Sequence, residues 1–391
     1  MGWWALNRCK QDKKLADILK NAGFELNSLH KEVEPDKKDF VFRFIAFALG
    51  LPLPFNLKGV IDYLVVDEVD SGAVNKIRRI KRKGGVLLYA PNHVSNLDSF
   101  VLGYAIYQMR LPFPIFVAGK NLAKGISRYI LPLLGASFLD RELIEGSVSK
   151  RVGAAYWRFY AMHVRGWARK RISVLSFLQA GRPYDGLQAE KEAKWRMIDL
   201  ANRMSVEESI PIYVVPIALS YTRVPEDERI FRCAKEGKMK GARSSNLFIA
   251  WLNVNKIMKG NPVYVRFFEP IDVREFSNVR KDAHELLIEV LDRATITYTQ
   301  FSAFVLNNLF KRRYECPRHR YIDECKKRLA RLCRKAKKLD AVLRNEDFVA
   351  GVEWFFERGV LELKWDMIGY ASRDVNILEY YANLGRHHFK V

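Results

Sequence analysis

The chain has 391 residues, of which 49% are hydrophobic and 13% aromatic, which excludes a disordered polypeptide and allows one large domain with an appendage, or two domains. Its formal net charge of +22 at pH 7 indicates an anionic partner, for which nucleic acid, an anionic membrane surface and phosphorylated substrates all qualify. Five cysteines without a Cys-x-x-Cys pair, and an N-terminus that turns polar at Asn7, favour a reducing cytoplasmic setting over a secreted one.

The first 39 residues are mixed and polar, and we expect peripheral helices there. The apolar segment Phe40 to Phe55 follows, and it falls short of the roughly 18–20 uninterrupted apolar residues of a membrane-spanning helix. Its length and aromatic content fit either a helix lying in the membrane interface, which we favour, or a buried core helix.

Strand-like and helix-like stretches alternate after the basic run 76–83. Strands are predicted at 85–90, 114–118, 172–178, 212–219 and 263–268, and helices at 98–102 and beyond, 147–171 and 189–204. Such alternation over about 200 residues predicts an α/β fold, with a mostly parallel sheet flanked by helices.

The pattern becomes helical after about residue 285, and residues 311–344 are dense in lysine and arginine. This basic stretch is either a solvated helix or a face directed at lipid headgroups. We therefore divide the chain into a helical and possibly membrane-interfacial segment at 1–75, an α/β domain at 76–290 and a basic helical region at 291–391. Cys316, His319, Cys325 and Cys333 match no common zinc spacing, so no metal site is predicted.

The most informative stretch is the turn from Pro91 to Asp98, which follows the strand at 85–90. A helix is expected to begin there, with Ser95 or Asn96 as its cap and Asp98 in its first turn. Asp98 could then hold the His93 imidazole in one tautomer and stabilise its cation, as an orienting group does for a general base. A surface histidine beside a helix-capping aspartate has the same spacing, so other residues must decide.

Two arginines follow glycines where the chain leaves predicted strands, in Gly135 to Arg141 and in Gly181-Arg182. Ligands of open parallel sheets gather at the carboxyl ends of the strands, so both arginines could converge with His93. The guanidinium fork suits a phosphate, and glycine lets a substrate approach the backbone. Taken singly, either arginine could be a structural ion-pair partner.

In chain order these segments resemble the glycerolipid acyltransferase superfamily, whose motifs are HxxxxD, GxxFxxR, an FxEGxR-type loop and a proline-containing strand. They correspond here to His93 with Asp98, to 135–141, to 177–182 and to 215–221. Residues 117–122 and 377–383 are similar to the branch that acylates glycerol-3-phosphate and dihydroxyacetone phosphate.

The resemblance implies a membrane-associated O-acyltransferase that acts on glycerol-3-phosphate in phospholipid biosynthesis. His93, oriented by Asp98, would take the proton from the acceptor hydroxyl as its oxygen attacks an acyl thioester of coenzyme A or acyl carrier protein. Because the thioester is already activated, the resemblance implies no metal and no cofactor other than this co-substrate.

The resemblance also implies which residues bind the substrates. Arg141 and Arg182 would hold the acceptor phosphate, with Gly135 and Gly181 giving room. Pro216 would shape the acyl-donor side.

The third motif departs from the family at three positions, because Gln179 stands where glutamate is usual, Ala180 where glycine is usual and Pro183 where serine is common. Since His93, Asp98 and both arginines remain, we expect retained activity. The alternatives are a lysophosphatidic acid or lysophospholipid acyltransferase, and an inactive acyltransferase-like protein that binds membranes. Nucleic acid is disfavoured because no reading motif is present. We expect peripheral or interfacial attachment to the cytoplasmic face of an anionic membrane.

Overall fold

The computed structural model describes residues 3–33, 63–125, 127–145, 149–179, 181, 185–188, 192–227, 261–311, 314–335, 345–371 and 376–389. The apolar segment Phe40 to Phe55 and the third-motif arginine Arg182 lie outside the described residues, so the predictions made for them stay predictions.

A central sheet of eight strands organises the α/β part of the chain. Its strands are β1 Leu64–Glu68, β2 Val86–Pro91, β3 Ile115–Gly119, β4 Ala136–Leu139, β5 Val174–Leu175, β6 Ile212–Tyr221, β7 Val263–Phe267 and β8 Ile271–Asp272. Their order is β1-β7-β6-β2-β5-β3-β4, with β8 also paired to β6. The five strands from β6 to β4 run parallel, and only β7 and β8 pair antiparallel with β6. The predicted mostly parallel sheet is confirmed.

Helices cover both faces of this sheet. They are α1 Trp3–Gln11, α2 Lys13–Asn21, α3 Leu26–Val33, α4 Ala73–Arg82, α5 Asp98–Gln108, α6 Ser127–Leu133, α7 Arg141–Glu145, α8 Lys150–Arg169, α9 Arg196–Glu207, α10 Val279–Asp292, α11 Tyr298–Phe310, α12 Arg318–Lys335, α13 Asn345–Glu357 and α14 Asn376–Gly385. Alternate residues of β2 enter opposite layers: Leu87 packs with α4, α5 and α11, and Leu88 packs with α8, α9 and α10. Burial on both faces explains why the strand sequence is continuously apolar.

The predicted strand at 172–178 is wrong in its extent, because only Val174 and Leu175 form regular ladder pairs. The chain nevertheless continues beside β2, with the Ser176 and Leu178 N–H groups donating to the Tyr89 and Pro91 carbonyls at 3.0 and 2.8 Å. Strand β4 was not predicted.

Two helix starts also differ from the prediction. Helix α9 begins at Arg196 rather than at 189, because the Lys194 N–H donates to the Leu178 carbonyl at 2.7 Å and keeps this segment beside the end of β5. Helix α5 begins at Asp98 after Leu97, so neither Ser95 nor Asn96 occupies the cap position. Ser95 Oγ instead accepts a hydrogen bond from the Leu97 N–H at 3.1 Å.

The N-terminal helices α1 to α3 pack on α8 through buried residues such as Leu15, Leu19 and Val33. Strand β1, from the predicted N-terminal segment, pairs with β7 of the predicted α/β domain. None of the helices that the structure describes is both long and apolar enough to cross a bilayer.

The C-terminal region is helical as predicted, but it also contains a three-stranded antiparallel sheet that the sequence did not predict. Its strands are β9 Glu315–Pro317, β10 Leu361–Lys364 and β11 Met367–Tyr370. Strands of three or four residues are too short to produce a clear period-two pattern. Cys316 of β9 and Cys325 of α12 are buried, and burial raises their thiol pKa values to about 11 and about 12.

Candidate active site

The turn after β2 joins a histidine to a buried carboxylate. His93 Nδ1 donates to Asp98 Oδ2 at 2.7 Å, and the same oxygen accepts the backbone N–H groups of Val94 at 2.7 Å and Ser95 at 3.0 Å. The Asp98 side chain is fully buried, and that of His93 is 17% exposed. Because a carboxylate only accepts, Nδ1 carries the proton and Nε2 is left as the acceptor. This is the geometry of an oriented general base.

Tyr221, at the end of β6, and Glu226, which follows it, lie next to this turn. The buried Ser95 hydroxyl donates to Glu226 Oε2 at 2.8 Å, and the Asn96 N–H donates to the other oxygen of that carboxylate. Burial raises the pKa of Tyr221 well above its usual value, and the charge of neighbouring Asp98 raises it further. The Tyr221 hydroxyl therefore stays protonated beside the Asp98 carboxylate.

Gln179 holds the backbone of the histidine. The His93 N–H donates to Gln179 Oε1 at 2.9 Å, and Gln179 Nε2 donates to the Gln188 carbonyl at 3.0 Å. Asn92 continues this buried network, because its Nδ2 donates to Gln188 Oε1 at 3.1 Å and its Oδ1 accepts from the Leu219 N–H at 2.7 Å. An amide fits position 179 because one end must accept and the other must donate. A glutamate would set a carboxylate oxygen against the Gln188 carbonyl.

A pocket of about 310 Å³ opens at the carboxyl edge of β3, β4 and β5. Arg141, Phe177 and Gln179 line it together, and the Phe177 ring stacks on the His93 imidazole with 4.1 Å between centroids and 21° between planes. The structure thus brings His93, Asp98, Gln179 and Arg141 to one edge of the sheet, where strand ends gather ligands.

The same pocket contains cations that the sequence did not single out. Lys194, Arg196 and Arg280 line it, and Arg280 Nη2 contacts both Glu192 oxygens at 2.6 and 2.8 Å. These residues lie about 50 to 140 positions beyond Arg141 in the sequence, so no local motif links them to it. Only the tertiary structure shows that they line the same pocket.

Helix α3 reaches the loop that follows β3. Lys120 Nζ lies 3.1 Å from Glu32 Oε2 and 3.6 Å from Asp140 Oδ2. Asp140 immediately precedes Arg141, so an N-terminal helix contributes a charge next to the pocket wall. The helices predicted within residues 1–39 are present at 3–33, and Glu32 and the buried Val33 pack against the α/β part.

The structure does not bring Gly135 to the pocket. It lies before β4, at the opposite end of the strand from Arg141, where its φ of +86° forms the turn. The glycine beside the arginine is Gly119 at the end of β3, where an added Cβ would lie 3.9 Å from Arg141 Cζ and would collide with Asn121 Oδ1. Among the residues that the structure describes, none has an atom within 4 Å of a Cβ added at Gly181.

Pro216 lies inside the sheet. It is buried in β6 level with Ala90 of β2, and its carbonyl accepts from the Phe268 N–H at 3.1 Å. On that side of β6, β8 pairs up to Val214 and β7 pairs from Ile217. Proline thus occupies the gap between two partner strands, where it removes no ladder hydrogen bond. Its predicted part on the acyl-donor side stays a prediction.

Comparison with known proteins agrees with this geometry. A family model described as acyltransferase matches residues 73–220, which contain β2 to β5, the first three motifs, and β6 and the fourth motif except for their last residue. The chain is similar to the glycerol-3-phosphate acyltransferases of Pseudoalteromonas translucida (26% identity over 211 residues, 54% of this chain), Baumannia cicadellinicola (28% over 208 residues, 52%) and Haemophilus influenzae (28% over 211 residues, 53%). The matched part spans 24% of the length of each of these relatives.

The motif order, the oriented histidine with its pocket and these relatives agree with one another. The chain matches the acyltransferase family over residues 73–220 and is similar, over about half of its length, to enzymes named glycerol-3-phosphate acyltransferases.

Proposed function

We propose that this protein transfers a fatty acyl group from an acyl thioester to a hydroxyl of glycerol-3-phosphate. The observation that carries the proposal is the 2.7 Å contact between His93 Nδ1 and Asp98 Oδ2, which orients the imidazole as a base. The His93 ring also stacks on Phe177, which lines the same pocket as Arg141. The relatives named as glycerol-3-phosphate acyltransferases support the choice of acceptor.

The proposed reaction is a direct transfer. His93 Nε2 takes the proton of the acceptor hydroxyl while the oxygen attacks the thioester carbonyl, and the imidazolium then returns the proton to the departing thiolate. Asp98 fixes the tautomer and stabilises the imidazolium, as its three hydrogen bonds to the turn allow. The C–S bond breaks as the C–O bond forms, so no residue of the chain is acylated.

The acceptor phosphate is assigned to the cationic side of the pocket. Arg141 lines the pocket, and Lys194 and Arg196, which also line it, add positive charge. A guanidinium binds a phosphate through two parallel hydrogen bonds, which fixes the orientation of the acceptor as well as its charge. Arg182 and Gly181 remain proposed members of this site.

The remaining parts of the proposal concern the donor and the location. The donor is acyl-CoA or acyl-ACP, used as a co-substrate, and we propose no metal and no other cofactor. The strongly basic chain attaches peripherally to the cytoplasmic face of an anionic membrane, where the product would enter the bilayer. The proposed regions are an N-terminal segment at 1–75, an α/β domain at 76–290 and a basic helical region at 291–391.

A second candidate acceptor is lysophosphatidic acid. The pocket is also lined by apolar side chains, among them Val117, Leu139, Ile144 and Trp157. This apolar part of the lining suits an acceptor that already carries an acyl chain. The two candidates use the same base and differ only in whether the acceptor contacts these side chains.

A panel of acceptors tests the proposal. The purified chain is incubated with radiolabelled long-chain acyl-CoA or acyl-ACP and with glycerol-3-phosphate, dihydroxyacetone phosphate, lysophosphatidic acid or unphosphorylated glycerol, and a His93→Ala variant serves as the control. We expect label in lysophosphatidic acid formed from glycerol-3-phosphate. Label transferred only to lysophosphatidic acid would select the second candidate, and no transfer by a folded protein would contradict the activity.

A further inference from the structure

The turn of the C-terminal hairpin exposes a tryptophan completely. Strands β10 and β11 are joined by the two residues Trp365 and Asp366, and Trp365 is 99% exposed. Both have positive φ angles, +51° and +62°, which is the backbone of a type I′ hairpin turn. Asparagine, aspartate and glycine suit this conformation, whereas a bulky aromatic side chain is disfavoured. The folded chain alone therefore gives no reason for an indole here.

The base of the hairpin is firmly packed. Ile368 and Cys316, which face each other across β11 and β9, are buried. The buried Tyr321 hydroxyl beneath them donates to the Phe348 carbonyl at 2.9 Å and lies 2.8 Å from Ser302 Oγ, whose hydroxyl can donate to it. The tip therefore projects from a rigid support, and Leu363, 45% exposed, adds apolar surface on the strand that leads to it.

Positive charge lies directly beside the tip. The Arg318 N–H donates to the Asp366 carbonyl at 2.9 Å, so helix α12 starts at the hairpin turn. Residues 318–335 contain eight lysines and arginines against two acidic residues, and Arg318, His319 and Arg320 are exposed. Within the hairpin Lys364 pairs with Glu362 at 2.7 Å and Asp366 adds one carboxylate, so the positive charge of this surface comes from α12.

We propose that Trp365 and Leu363 insert into the headgroup region of an anionic lipid bilayer, with the first turn of α12 binding the lipid phosphates. Tryptophan prefers the boundary between apolar and wet surroundings, and basic residues near an anionic surface strengthen attachment. A bilayer fits this surface better than a nucleic acid, because the aliphatic Leu363 offers no ring for base stacking. The surface deepens the proposed membrane association and does not depend on acyl transfer.

Vesicle sedimentation with the full chain tests this surface. Trp365→Asn suits the turn and so keeps the hairpin folded, and Tyr129→Asn, which removes another exposed aromatic on α6, is the matched control. On vesicles of phosphatidylcholine with phosphatidylglycerol, we expect Trp365→Asn to partition about tenfold more weakly, the scale for an indole that buries roughly a third of its surface. Tyr129→Asn should bind like the unmodified chain.

The charge is tested separately. An Arg318→Gln, Arg320→Gln double variant should lose most of the preference for phosphatidylglycerol over pure phosphatidylcholine vesicles. Undiminished binding by Trp365→Asn, or retention on single-stranded DNA with no vesicle binding by the unmodified chain, would overturn the proposal. Transfer from a short-chain acyl thioester to glycerol-3-phosphate without vesicles is measured in parallel. Vesicle binding without any transfer would contradict the enzymatic proposal and leave the surface standing.

Discussion

Gln179 Oε1 accepts a 2.9 Å hydrogen bond from the backbone N–H of His93, across a sequence separation of 86 residues. Gln179, one of three residues that depart from the family motif, therefore ties the end of β5 to the turn that contains His93. Its amide also donates to the Gln188 carbonyl, so both ends of the side chain are used.

Restoring the family residue should be harmful in this chain. Gln179→Glu places a carboxylate oxygen near the Gln188 carbonyl, where the buried network needs a donor. Such an unsatisfied group lowers the free energy of unfolding by about 1–3 kcal/mol. We expect kcat to fall by roughly tenfold or more, since relief of this unfavourable contact would shift the turn that holds His93. Steady-state kinetics check this, with thermal unfolding to establish that the variant is folded.

A Gln179→Met variant is the matched control, since it keeps the length of the side chain and removes both hydrogen bonds without adding charge. If Gln179→Glu were as active as the unmodified chain, the fit argued for the amide would be wrong.

Asp98 should affect the reaction rate because it fixes the tautomer of His93. Asp98→Asn keeps the shape of the side chain but presents an amide, so the proton on Nδ1 loses its charged acceptor and Nε2 is no longer held as the base. We expect kcat to fall by about 10²–10⁴, the range that general-base catalysis contributes. A His93→Ala variant should lose a comparable amount.

The double variant separates this role from general damage. Because both residues act as one unit, His93→Ala combined with Asp98→Asn should be no worse than His93→Ala alone. Additive losses in the double variant would contradict the pairing.

Arg141 should affect acceptor binding more than the chemical step. Arg141→Lys keeps one positive charge but not the planar fork, and Arg141→Ala removes both. We expect KM for glycerol-3-phosphate to rise by about tenfold or more in Arg141→Ala and less in Arg141→Lys, with KM for the acyl donor nearly unchanged. An unchanged acceptor KM in both variants would remove Arg141 from the phosphate site.

A buried histidine outside the pocket should make stability pH-dependent. Burial lowers the pKa of His163 to about 4, and its Nδ1 donates to the Phe159 carbonyl while Nε2 meets His30 Nδ1 at 2.9 Å. The unfolded chain, with a histidine pKa near 6.5, binds this proton more readily than the folded chain does. His163 therefore contributes stability above about pH 6.5 that is lost as the pH falls towards 4, on the order of 2–3 kcal/mol.

Denaturant unfolding at pH 7.5 and pH 5 measures this loss. A His163→Phe variant cannot take up the proton, so its free energy of unfolding should change less between the two pH values. An equal change in both chains would assign the pH dependence to other groups.

The amino-acid sequence determined the local features of the site. The apolar run 86–91, the turn that follows it and the spacing of His93 and Asp98 lie within a few residues of one another, so hydrophobic pattern and helix-start signals were sufficient to predict them. The order of the motifs indicated the family, and alternation indicated the parallel sheet.

Tertiary structure decided what depends on distant contacts. It gave Gln179 its place under His93, set Gly119 rather than Gly135 beside Arg141, and brought Arg280 into the pocket. These pairings join residues on separate strands and helices, and their formation depends on how the sheet layers pack. No period or local spacing encodes such contacts, which explains why the sequence predicted the turn with His93 and Asp98 and not the residues that line the pocket beside it.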